Sequence, residues 1–249
     1  MRALILAAGF GTRLKPITDK IPKALVKIKG KTLIERSILY LQKHGIKEIL
    51  INTHHLAEQI ENFLKDNNFN IPINTIFEPK ILDTGGAIKN TQNFFQNSMS
   101  FVVYNVDVVT DLNLKRAIDF HKKNKNLATL LVKTRQTKRP FIIDKTGLLV
   151  GHKDKGNFLN KGREVGFLGI HILSPKIFDL MPKENKFGIT QFYLDLIKTG
   201  LKINTFEVQN CYWADAGSLD RIKEIQVGLS RFVSCHSRPE PSGRESKNI

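Results

Sequence analysis

The chain has 249 residues, 41% of them hydrophobic, and a formal charge of +16, enough length and apolar content to bury a full core, expected here as one α/β domain. Its lysines are spread over the whole length, which argues against a nucleic-acid-binding block and for a lysine-rich solvated surface that suits anionic substrates. Only Cys211 and Cys235 are present, without metal-ligand or redox spacing, so neither a disulfide framework nor a zinc site is indicated, and a reducing cytoplasm is expected.

In chain order, residues 3–8 form an apolar run too short for a signal-peptide core and broken at once by Gly9 and Gly11, so it is expected as a buried strand. Ile34, Ile38 and Leu41 make one helical stripe, ended by Gly45; Leu56, Ile60 and Phe63 make a second. Residues 48–52 and 101–105 are further expected strands. Ile88 and Phe94 mark a third helix between them, and Asp111 is expected to cap a fourth that runs to Lys123. This alternation predicts a mostly parallel sheet with helices on both faces. Short runs at 128–133, 141–143, 148–150 and 165–173 predict an appended antiparallel layer that shapes a second substrate's pocket. Helices are expected over 188–199 and 219–229, with a strand near 203–208. Thus 1–230 is expected to form one domain, and 231–249, polar, proline-bearing and without period, a disordered tail. No stretch approaches the roughly 20 apolar residues of a membrane span.

The chemistry concentrates after the first strand, in Ala8-Gly9-Phe10-Gly11-Thr12-Arg13. Two glycines one residue apart let backbone N–H groups approach a phosphate chain. The loop is neither a dinucleotide fingerprint, whose third glycine would replace Leu14, nor a Walker loop, which needs Gly-Lys-Ser/Thr. Ten residues on, Lys23 can reach back over the loop, and with Arg13 it can neutralise a triphosphate and a departing pyrophosphate. Asn105-Val106-Asp107 ends a strand, where open α/β sheets place ligands, and a carboxylate there suits Mg²⁺.

Gly9 to Thr18 followed by Pro22-Lys23 resembles the signature of the sugar-1-phosphate nucleotidyltransferases, a family with a Rossmann-like core. Further matches are Leu82-Asp83-Thr84-Gly85-Gly86-Ala87, Asn105-Val106-Asp107, Gly166 to Gly169, and Trp213-Ala214-Asp215-Ala216-Gly217, so the resemblance covers 1–228. It implies a nucleotide site at Ala8, Gly9, Gly11, Thr12, Arg13, Lys23, Asp83, Gly85 and Asn105, with Arg13, Lys23 and Asp107 catalytic. It also implies Mg²⁺ on Asp107 and Asp215, and an acceptor sugar phosphate at Gly169 and Lys153. Asp83 alternatively caps a helix, and Gly85-Gly86 alternatively forms a plain turn. Where many relatives carry Glu-Lys-Pro, this chain has Gly151-His152-Lys153-Asp154-Lys155, so Lys155 competes with Lys153, and both can be simple hairpin charge.

The short catalytic domain looks most like the N-acetylmuramate 1-phosphate uridylyltransferases and the mannose-1-phosphate guanylyltransferases. A phosphocholine cytidylyltransferase and a non-catalytic nucleotide-sensing subunit are the competing readings; the presence of Lys23 and Asp107 weighs against the second. The implied partners are a nucleoside triphosphate and a sugar 1-phosphate, with no nucleic acid and no membrane. None of these motifs encodes the oligomeric state.

Overall fold

The computed structural model describes residues 1–157 and 162–236. Strand β1 (Arg2–Leu6) leads through short 3-10 turns into a hairpin, β2 (Lys27–Ile28) and β3 (Lys31–Thr32), and then α1 (Leu33–Lys43). There follow β4 (Glu48–Thr53), α2 (Ala57–Asp66), β5 (Ile73–Phe77), α3 (Asp83–Lys89), α4 (Gln92–Phe95), β6 (Phe101–Asn105), β7 (Val108–Thr110) and α5 (Leu114–Lys123). The second half adds β8 (Ala128–Lys133), β9 (Phe141–Ile143), β10 (Leu149–His152), β11 (Gly156–Asn157), β12 (Arg163–Leu173) and α6 (Ile189–Lys198). It closes with β13 (Asn204–Glu207), β14 (Trp213–Asp215) and α7 (Leu219–His236).

The chain is an α/β protein built on a mixed central sheet. Its β5-β4-β1-β6 segment is parallel, with Leu6 level with both Asn52 and Asn105, so the carboxyl ends of three strands open at one place. Both faces of these strands are covered, which explains their continuous apolar runs. Ala3, Ile5, Val102 and Tyr104 face one way, onto α1, α2, α5 and α7. Leu4, Phe101 and Val103 face the other, onto α3, α4 and α6. There Phe95 and Phe178 stack on either side of Phe101, at 4.2 and 5.6 Å between ring centres. Each such fully buried side chain contributes about 1.5–3 kcal/mol relative to exposure.

Four expectations change. The antiparallel layer is continuous with the main sheet, because β12 is long enough to pair with β6 at its end, through Ile170–Leu173, and with β9 at its start. The third helix is two: Thr91 turns its hydroxyl back onto the Ile88 carbonyl at 2.6 Å and ends α3. Asp111 does not cap α5, which begins at Leu114; its carboxylate instead accepts from the Tyr212 N–H at 2.8 Å. Finally, α7 runs to His236, so residues 231–236 of the expected tail are helical, and the rest of that expectation lies outside the described residues.

Two buried histidines give the fold a pH dependence. His171 shares a 2.6 Å hydrogen bond with the Tyr193 hydroxyl, and burial pushes its pKa down to about 3. Burial, with Lys122 nearby, pushes His121 down to about 4. The unfolded chain takes up these protons near pH 6.5, whereas the folded chain does not until pH 3–4. Stability is therefore full above pH 6.5 and is lost as pH falls, by up to about 1.4 kcal/mol per unit for each histidine. Urea unfolding between pH 7 and 5 should show this slope, shallower in His121→Gln; a flat profile would refute it.

Candidate functional site

The loop after β1 is shaped by the fold at one glycine and open at the other. Gly11 has φ +65°, and a Cβ there would lie 2.9 Å from the Thr18 Cγ2; the Thr18 hydroxyl donates to the Gly11 carbonyl at 2.8 Å. At Gly9 a Cβ would meet no protein atom within 4 Å, so space stands free above that backbone. Thr12 and Arg13 follow, exposed on a 3-10 turn (Thr12–Leu14) whose buried Leu14 anchors it to the core.

Lys23 does reach back across the sheet edge. Its ammonium pairs with the Asp107 carboxylate at 2.5 Å, both side chains mostly buried. Asp107 itself is held by a turn that the Tyr104 hydroxyl closes, donating to the Val108 carbonyl at 2.9 Å. Asp215 arrives from the far end of the sequence on β14, which pairs antiparallel with β7 so that Asp215 lies opposite Val108. One residue on, the Ala216 N–H donates to the Asp107 carbonyl at 2.8 Å. The two aspartates thus sit on adjoining backbone. Arg13 joins them: its Nη2 and the Asp215 Oδ1 both lie within 3 Å of the point a Gly217 Cβ would occupy. The Asp215 carboxylate is also paired with Arg221, from the first turn of α7, and accepts from the Gly217 N–H at 3.2 Å.

Beside this cluster a cavity of about 260 Å³ opens at the carboxyl ends of β1, β4 and β6. Ala8, Gly9, Lys23, Asp83, Asn105 and Asp107 line it, together with Asn52, Glu78, Ile81, Thr84 and Ala87. Asp83 is exposed there at φ +59°, as the first residue of α3, and no side chain caps that helix end. Gly85 is differently placed from the expectation of close ligand approach. It lies inside α3 and donates its N–H to the Phe187 carbonyl at 2.9 Å; a Cβ would strike the Phe187 ring at 2.3 Å. Its close approach is to the segment before α6. Gly169, at φ +73°, packs against the Asn105 side chain, where a Cβ would come within 2.9 Å of Nδ2. Lys153 stands apart on an exposed turn, paired with Glu164 at 2.9 Å, and Lys155 binds Gln191 at 2.9 Å; neither lines the cavity.

Sequence reasoning passed over two residues that hold the cavity's shape. Buried Asn52 accepts from the Ala7 N–H at 2.7 Å and donates to buried Glu78 at 2.7 Å. Glu78 accepts in turn from the Leu82 N–H at 3.3 Å, tying the glycine loop to the start of α3. Asn52 ends an apolar strand, and a polar residue fully buried at a carboxyl edge was the available signal. Asn52→Ala strands the Ala7 N–H and one carboxylate oxygen, so it should destabilise the protein by about 1–3 kcal/mol or more and weaken nucleotide binding. Melting temperature and a nucleotide titration check both; normal values in each would show the network to be dispensable.

Among the described residues no three His, Cys, Asp or Glu side chains cluster as a metal site, and no helix is long and apolar enough to cross a membrane. The fold and site define an α/β protein with a glycine-loop cavity at the carboxyl edge of parallel strands, lined by Lys23 and Asp107. The chain belongs to the nucleotidyl transferase family, whose sequence model matches residues 2–231. It is 30% identical to a UTP–glucose-1-phosphate uridylyltransferase of Synechocystis, over 94% of this chain and 64% of that one. It is 27% identical to the D-glycero-alpha-D-manno-heptose 1-phosphate guanylyltransferase of Aneurinibacillus thermoaerophilus, over 94% of this chain and 100% of that one. Its fold matches the crystal structure of HddC from Yersinia pseudotuberculosis complexed with GMP-PN, with a TM-score of 0.73, 26% identity, and coverage of 92% and 99%. The chain therefore spans somewhat less than two thirds of the cyanobacterial relative and the full length of the Aneurinibacillus one.

Proposed function

We propose that this protein transfers the nucleotidyl group of a nucleoside triphosphate to a sugar 1-phosphate, releasing pyrophosphate. The observation that carries the reading is the β14–β7 pairing, which brings the backbone of Asp215 beside that of Asp107, and Asp107 lines the glycine-loop cavity. Relatives named for uridylyl and guanylyl transfer to glucose, mannose and heptose 1-phosphates support it.

In this reading the open backbone at Gly9 receives the triphosphate. An oxygen of the acceptor phosphate attacks the α-phosphorus in line, the bond to the β-phosphate oxygen breaks, and pyrophosphate leaves on the opposite side. Arg13 and Lys23 take up the charge of the leaving group, Lys23 exchanging Asp107 for phosphate as the substrate arrives. Two carboxylates on adjoining backbone are a hard-oxygen donor set suited to Mg²⁺, a metal that usually takes one or two carboxylates and completes its shell with substrate phosphates and water. Held by Asp107 and Asp215, Mg²⁺ would screen the repulsion between the two reacting phosphates. Transfer of uridylyl to N-acetylmuramate 1-phosphate is the narrower form of this reading, and guanylyl transfer to mannose 1-phosphate its competitor.

The test is a panel. UTP, GTP, CTP, ATP and dTTP are each paired with glucose, mannose, heptose and N-acetylmuramate 1-phosphates and with phosphocholine, and pyrophosphate release is measured with Mg²⁺ present. Turnover of one sugar phosphate supports the proposal and names its substrates. Turnover of phosphocholine alone, or of nothing, overturns it.

A further inference from the structure

Lys153, paired with Glu164 on an exposed turn, leaves the acceptor phosphate without a cation, yet two guanidinium groups approach β14, one at Trp213 and one at Asp215. Arg135 lies flat over the Trp213 ring, 4.3 Å from its centre, and donates to the Phe167 carbonyl at 3.2 Å. Its Nε is buried and has no partner among the described residues. Gly166 makes the space for it, since a Cβ there would fall 2.5 Å from that Nε. Trp213 is fixed in turn by its indole N–H, which donates to the Leu168 carbonyl at 2.8 Å. The stack therefore rests on the segment leading to Gly169, whose far side meets Asn105 at the cavity. Arg221 reaches Asp215 from α7. Trp213 and Asp215 stand two residues apart on β14, so the two guanidiniums approach the same strand, two positive charges against one carboxylate.

We propose that Arg135 and Arg221 form the binding site for the acceptor's phosphate, an inference that rests on the reaction proposed above. Two planar forks and one carboxylate leave an excess of positive charge, and guanidiniums match a phosphate oxygen pair better than lysine ammoniums do. The aromatic stack and the glycine below hold the Arg135 plane in place before the ligand arrives, so little side-chain freedom is lost on binding.

Arg135→Met and Arg221→Met, with Arg135→Lys as the conservative variant and Lys153→Ala as comparison, are assayed with the substrate pair that the wild type turns over. Each Met variant should raise the acceptor KM by about 10-fold or more while shifting the nucleotide KM little, and Arg135→Lys should recover part of the loss. Direct titration with glucose 1-phosphate, independent of turnover, should show the same ranking. The inference is overturned if the nucleotide KM rises instead, or if Lys153→Ala alone weakens the acceptor. It is equally overturned if wild type and Arg135→Met titrate alike, including the case in which neither binds. Absence of turnover by the wild type condemns the reaction, while the titration still decides this site.

Discussion

Replacing Asp107 or Asp215 with asparagine is expected to leave the protein folded and remove most of its turnover, by about 10³-fold or more, because several kcal/mol of charge stabilisation depend on an anionic ligand. The physical ground is repulsion: in the proposed reaction two polyanionic phosphates must come to reacting distance, and the proposed role of the two carboxylates is to hold a cation between them. Asparagine keeps the size and one acceptor oxygen of aspartate while discarding its charge. Main-chain bonds hold the local backbone beside the contacts these carboxylates make with Lys23, Arg221 and the Gly217 N–H. The Ala216 N–H bonds to the Asp107 main-chain carbonyl, and β14 is held on β7 by the strand register. Whatever activity remains should require more Mg²⁺ for half-maximal rate. Turnover against Mg²⁺ concentration, with circular dichroism as the fold control, checks both statements. A double asparagine variant with wild-type rate and wild-type Mg²⁺ dependence would sink the assignment.

Arg13→Ala and Lys23→Ala should each lower kcat by about 10²-fold or more, the loss typical of removing one donor that strengthens its hold as negative charge builds on a leaving group. The two differ in a way the structure makes specific. Arg13 is exposed on its turn, so its replacement should perturb little besides charge on the leaving pyrophosphate. Lys23 is mostly buried against Asp107, so its loss also leaves that carboxylate unpaired. Lys23→Ala should therefore be the less stable variant, and its apparent Mg²⁺ requirement should fall, because the ammonium no longer competes for Asp107. Steady-state kinetics with varied nucleotide and varied Mg²⁺ separates these effects. A rise in KM at unchanged kcat would make either residue a ground-state anchor and remove it from the transition state.

Much of the frame was legible because local periodicity reports which faces are buried. Ala3–Leu6, Ile49–Ile51 and Phe101–Tyr104 are apolar runs that need cover on both sides, and the core clusters supply it. The stripe of Ile34, Ile38 and Leu41 gave α1 but not its start, which the structure puts at Thr32, whose hydroxyl accepts from the Glu35 N–H at 3.1 Å. Strand β5 escaped notice because Asn74 and Thr75 interrupt its apolar residues at the sheet edge, where one side is open to solvent. Gly85 depends on the fold in another way. A glycine declares that something comes close, and only the folded chain says that here it is Phe187.

The sequence by itself determined the main strands and helices of the first half, the placing of the glycine loop and Asp107 at strand ends, and the resemblance that pointed to nucleotidyl transfer. Each of these is carried by a run of residues neighbouring in sequence. What only the tertiary structure decided is which distant groups meet. It set Asp215 opposite Val108 through the β14–β7 register, bound Ala7 to Glu78 through Asn52, stacked Arg135 on Trp213 and paired Arg221 with Asp215. It also sent Lys153 away to Glu164. The reason is that a side chain's partner is chosen by the register and packing of whole elements, which depend on every other element in the core, and no local pattern carries that information.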